Sequence, residues 1–178
     1  MLGEGNVIKF EFPEEEFDIA SGFSRMAELK AVNCCRGEFA TNTWVDEVKA
    51  ENIIFQHNGK FKYDIEKNIL FVEVEFTAEY RLGTDQPPLN YVKAAFLLVY
   101  QLVNRPPVEE EIRDVLFSSF AKISCLHQVW PYWREFCDAS ARRMGLSGYL
   151  AAPLVISAQK AELVPPKKRV PKKPKPKN

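Results

Sequence analysis

Apolar and polar residues alternate most strictly in "ILFVEVEFTAEYRL", residues 69–82. Leu70, Val72, Val74, Phe76, Ala78 and Tyr80 share one parity, and Glu73, Glu75, Thr77 and Glu79 the other. That period of two predicts a strand with one buried face and one wet, acidic face. In "YVKAAFLLVYQLV", 91–103, both parities are largely apolar. An antiparallel strand normally keeps one solvated face. This one is expected to meet its own helices on one side and a second subunit or a ligand on the other, or else to be fully internal. Two further strands are expected upstream. "NIIFQHNGKFKYDI", 52–65, puts Phe61, Tyr63 and Ile65 on one parity and offers Asn58-Gly59 as a tight turn or bulge. "AVNCCRGEFATN", 31–42, alternates poorly.

Helical spacing marks three other stretches. Residues 14–31 place Ile19, Phe23, Met26 and Lys30 on one stripe, which Ser21 and Gly22 weaken. In "NRPPVEEEIRDVLFSSFAKISCL", prolines and three glutamates precede a stripe of Ile112, Val115, Leu116, Ser119, Phe120 and Ile123. Pro and Glu suit a helix N-terminus by geometry and by dipole. In "HQVWPYWREFCDASARRMGL", 127–146, Pro131 suits a first helical position. Trp133, Phe136, Cys137, Ala141 and Met144 then recur at spacings of three and four, and Gly145 stands where a C-terminal cap is needed. Trp130 and Tyr132 fall off that stripe.

Composition sets the limits. With 178 residues, 46% of them hydrophobic and 13 of them Phe, the chain suits one globular domain. Its formal charge of zero hides a division. There are 24 acidic and 24 basic residues in all, and seven of the basic ones lie in "KKRVPKKPKPKN" beyond residue 166, so residues 1–166 carry a net −7. Prolines and mutually repelling lysines leave that tail nothing to pack, which predicts disorder over 161–178 and a domain ending near 160. No stretch approaches the roughly 18 apolar residues of a membrane helix, and the acidic start is unlike a signal peptide, so a cytoplasmic protein is expected. Cys34, Cys35, Cys125 and Cys137 form no C-x-x-C pair and read as reduced, partly buried thiols; neither disulfide nor metal is indicated. His57 and His127 are the only histidines. Cys125 and His127 lie two apart with no third orienting residue, so no catalytic residue and no enzyme is expected.

From Glu109 to Gly145 the chain resembles the SecB-like protein-export chaperones. Its E-E-x-I helix is followed by an aromatic residue, then Pro131, Tyr132, Arg134, Glu135 and an R-x-G ending on Gly145, with strands upstream in the family's order. The resemblance spans roughly residues 27–156. It implies an α+β subunit in which a four-stranded antiparallel sheet packs against helices, with 1–26 an N-terminal segment holding a short helix, 27–160 the SecB-like domain and 161–178 the tail. It also implies homo-oligomers, dimers or dimers of dimers, that hold non-native polypeptides in apolar grooves without ATP or any cofactor. SecA and an antitoxin are the partners that members of the family serve. Two departures stand out: "LSGYLAAPLVI" keeps Leu146, Leu150, Pro153 and Leu154 of a Leu- and Pro-rich connection but alters the rest, and, where acids on the sheet face help dock SecA in export members, residues 91–103 carry none, although Glu73, Glu75 and Glu79 remain on the strand before.

On this reading Trp133 and Phe136 belong to core or subunit interface. Arg134 and Glu135 form a structural ion pair and cap. Trp44, Trp130, Tyr132, Tyr149 and Leu150 are the client-groove candidates, since aromatic side chains off the main stripe supply apolar area at small entropic cost. The alternatives are a SecB-fold adaptor with one dedicated partner, and a module that binds nucleic acid or an anionic surface through its tail. Nucleic acid is the less favoured partner, because basic tails of this kind also merely solubilise a protein or fold back on an acidic body.

Overall fold

A computed structural model describes residues 8–41, 53–64, 68–80, 87–104, 109–145 and 153–159; for 53–64 and Tyr80 it describes the backbone alone. The order is β1 (Ile8–Pro13), α1 (Glu14–Ser24), β2 (Ala27–Thr41), β3 (Ile53–Asp64), β4 (Ile69–Tyr80), β5 (Asn90–Leu102), α2 (Glu110–Phe120), α3 (Leu126–Arg143) and β6 (Leu154–Gln159).

Among the described residues β2, β5, β4 and β3 lie side by side in that order, every pair antiparallel. The period-two pattern decides the faces. Leu70, Val72, Val74, Phe76 and Ala78 of β4 are buried together with Val92, Ala94, Phe96, Leu98, Tyr100 and Leu102 of β5. Asn58 and Gly59 make no turn, because β3 runs through them in unbroken register, Asn58 opposite Glu75 and Gly59 opposite Val74.

The helices cover the buried face. Trp133 is fully buried and stacks on Phe76 at 5.1 Å between ring centroids, while Phe23 of α1 meets Phe117 and Phe120 edge-on at 5.3 and 5.0 Å. Rings at these separations add roughly 0.5–1.5 kcal/mol each beyond their area. α2 and α3 are joined without a break by a π-helical stretch, Ala121–Cys125. A π turn takes in an extra residue and re-phases the helix. Phe117 and Phe120 before it, and Leu126, Val129 and Trp133 after it, therefore all face inward.

Three expectations need correction. The first helix stops at Ser24, and residues 27–31 belong to β2, where pairing with β5 outweighs a helical stripe already weakened at Ser21-Gly22. Pro131 is not a first helical position; it lies inside α3, which starts at Leu126. The N-terminal residues contribute a strand as well as a helix: β1 pairs in parallel with β6, Ile8 opposite Leu154 and Pro13 opposite Gln159. Ile8, Phe10, Leu154 and Ile156 pack against the core, so this pair belongs to the same packed body. Trp44, Tyr149, Leu150 and the basic tail lie outside the described residues.

Candidate functional site

The side chains singled out around Pro131 separate once α3 is placed. Helix positions three and four apart share a face. With the helix starting at Leu126, Val129 and Trp130 join Trp133, Cys137, Ser140 and Ala141 on the buried stripe. Trp130 is only 5% exposed and meets Phe76 at 5.7 Å, edge-on. It is a core residue, and its assignment to a groove is corrected. Tyr132 is 45% exposed and stays a surface candidate. Arg134 and Glu135 sit in mid-helix, so neither caps an end. Gly145 adopts φ 74°, the left-handed conformation that closes a helix, and its N–H donates to the Arg142 carbonyl at 3.2 Å.

One turn from Tyr132, the outer edge of the Phe136 ring reaches Gly37 of β2. A Cβ placed on Gly37 would stand 2.5 Å from Phe136 Cζ, so only glycine admits the ring here. Gly37 shares its side of β2 with Leu29, Val32, Cys34 and Phe39, the residues that stand opposite the helix-facing residues of β5. Helices cover β4 and β5 but leave much of this row open. Leu29 is 37% and Phe39 38% exposed, and Cys34 is exposed as well. β2 is also an edge: among the described residues its outer side pairs with no strand. Register shifts between Leu29 and Ala31 and between Cys34 and Arg36 break its regularity, a feature that discourages uncontrolled edge pairing. The result is an extended row beside a strand edge that no other described strand pairs, with Phe136 of α3 against it at Gly37.

The other face of the sheet differs. Arg36, Ala95 and Glu75 stand in one row across β2, β5 and β4. The Arg36 guanidinium reaches over Ala95 to Glu75 at 3.3 Å and to Glu73 at 3.7 Å. This bridge roofs the small Ala95, which is 1% exposed, so one chain accounts for part of the burial expected on the second face of β5. Half-buried Phe71, Leu97 and Val99 continue that face. The acids of β4 are thus partly engaged within the chain.

Cys125 and His127 do not converge. Cys125 is buried, 3.3 Å from the Tyr100 hydroxyl, while His127 is exposed. Burial pushes the Cys125 thiol up to about 12, an effect that the hydrogen bond from Tyr100 only partly offsets; burial likewise raises Tyr100 above the usual phenol range. Tyr100 also donates to Gln128. Cys34 and Cys35 are exposed, which narrows the expectation of partly buried thiols to Cys125 and Cys137. Among the described residues no group of three or more His, Cys, Asp or Glu is placed to hold a metal ion, and no helix is long and apolar enough to cross a membrane.

This architecture, four antiparallel strands under a long carboxyl-side helix, is a SecB-like fold. The chain is similar in structure to the Mycobacterium tuberculosis SecB-like chaperone Rv1957, solved in complex with a ChAD peptide from the HigA1 antitoxin, with a TM-score of 0.56 and 11% identity over 77% of this chain and 97% of that one. No protein-family model matches the sequence, and no curated protein sequence does.

Proposed function

We propose that the chain is a chaperone that acts by binding: it lays an extended apolar segment of a non-native polypeptide along β2, without ATP, cofactor or chemical turnover. The observation that carries this reading is the row of Leu29, Cys34 and Phe39, all exposed, beside a strand edge that pairs with no strand among the described residues. A strand edge recognises any backbone through main-chain hydrogen bonds, while side-chain pockets at alternate positions set preference. Each fully buried Leu- or Phe-sized side chain contributes roughly 1.5–3 kcal/mol before ordering costs, so binding tolerates many sequences and persists in salt. A cytoplasmic homo-oligomer, a dimer or dimer of dimers, is part of the proposal.

A second reading rests on the antitoxin peptide held by the mycobacterial protein: an adaptor with one dedicated partner, such as an antitoxin. SecA is the less favoured partner, because Arg36 already engages Glu73 and Glu75 on the sheet face.

One experiment separates them. Light scattering of several unrelated, chemically unfolded clients is followed with equimolar protein, no nucleotide and about 0.3 M salt, where exposed charges are screened within roughly 6 Å. A general chaperone suppresses aggregation of most clients, and Leu29→Ser with Phe39→Ser abolishes the effect. A dedicated adaptor suppresses none of them. Suppression that survives both substitutions removes β2 as the surface.

A further inference from the structure

α1 and α2 hold a second apolar surface that the proposed client row does not include. Ile19, Ile112, Val115 and Leu116, with Glu111 at the margin, line an open cavity of about 400 Å³ between these helices. Ile112 and Val115 are more than half exposed. Such a patch on a surface helix invites a partner. Its surroundings carry one sign of charge: α1 and α2 together hold seven acidic residues, Glu14, Glu15, Glu16, Asp18, Glu110, Glu111 and Asp114, against a single basic one, Arg113. Lys122 engages one of the acids, Glu16, at 3.8 Å. The other six are exposed.

The β1–β6 register says where the chain goes next. Gln159 stands opposite Pro13, and Glu14, the first residue of α1, follows Pro13 directly. Residues 160–178 therefore follow β6 at the acidic first turn of α1, and they contain seven Lys and Arg after residue 166 and no acid there. Distance is no obstacle. Lys167 is eight residues past Gln159, which allows up to roughly 26 Å at about 3.3 Å per residue, while Ile19 is only about 7 Å along α1 from Glu14 at 1.5 Å per residue. The segment also has apolar residues to offer, Leu163, Val164 and Val170, set among its prolines and lysines.

We propose that residues 160–178 dock in cis on the α1–α2 cavity, their lysines against the acidic margin and Val164 or Val170 over Ile112 and Val115. The basic segment is then an internal cover for an acidic, apolar surface, and a competing basic ligand has to displace it. This proposal does not depend on client binding at β2.

Proximity tests it in the full chain. Val115→Cys is combined with Val170→Cys, with Cys34→Ser and Cys35→Ser removing the exposed native thiols. Val115 is surface-exposed, so the substitution leaves the core intact. On mild oxidation the tail should form a disulfide within one chain, several times faster than in a control carrying Leu29→Cys in place of Val115→Cys. Raising salt from about 0.05 to about 0.5 M should slow the reaction about fivefold or more, as the screening length shrinks below 5 Å. Glu111→Lys with Asp114→Lys should slow it similarly. Equal rates at positions 115 and 29, or rates insensitive to both salt and charge reversal, overturn the proposal. Disulfides that form between chains overturn docking in cis and assign the cavity to a second copy's tail.

Discussion

Gly37 is a position where a single methyl group decides a packing arrangement. The Phe136 ring fills the place of a Cβ, so Gly37→Ala forces the ring or the strand aside. Overpacking of this kind costs roughly 1–3 kcal/mol. Urea unfolding should show that loss, and pairing the change with Phe136→Leu should recover part of it, since neighbours in contact are not additive. The thiols provide a second residue-scale test. Cys125 has its titration raised to about 12 from an ordinary 9.0. A buried neutral thiol contributes stability that is fully present below pH 9.0 and lost as pH rises toward its folded value, because only the unfolded chain readily releases the proton in that window. Alkylation of the native protein near pH 8 should therefore modify Cys34 and Cys35 and spare Cys125 and Cys137 until denaturant is added. Rapid labelling of all four would contradict the burial described.

At the level of elements, Pro131 inside α3 has no N–H to give the His127 carbonyl four residues earlier. Pro131→Ala restores the bond and should raise stability by about 1 kcal/mol or more in thermal unfolding; a fall would mean that the ring's packing outweighs the missing bond. The same proline shows why some elements were legible in the sequence and others were not. β4 is readable because its sheet neighbours, β3 and β5, are adjacent along the chain and its period of two is unbroken, and β5 because its apolar run is continuous. Proline favours a first turn, so the sequence pattern starts α3 five residues late, and that shift alone moves Trp130 from the core to the groove. β1 carries its own alternation, Ile8, Phe10 and Phe12 against Lys9 and Glu11, yet six residues signal little when the partner is a distant, equally short β6. The π-helical stretch has no sequence signature, because its role is to re-phase two helices whose faces are set by the sheet below. The open row on β2 was missed for a related reason: poor alternation reflects two register shifts, and only the register shows which residues share a side.

At the scale of the molecule, the helix-covered face of the sheet forms the core, and the described residues present surfaces of distinct chemistry. The β2 row is apolar with unpaired backbone, the opposite sheet face is part apolar and roofed by Arg36, and the α1–α2 cavity is apolar within an acidic setting. The parallel β1–β6 pair has a consequence for how the molecule comes to be built. Ile8 waits for Leu154, 146 residues later, so the pair closes a loop of most of the chain. Closure over such a span is entropically late, and during synthesis β1 emerges long before the strand it needs. The order of events is then sheet, helices, and last this clasp. Ile156→Ala should accordingly speed unfolding while leaving the folding rate nearly unchanged, the signature of a contact made after the rate-limiting step. A nascent chain of this protein thus spends most of its synthesis with an apolar strand, Ile8, Phe10 and Phe12, unpartnered, in the same condition as the non-native polypeptides it is proposed to hold.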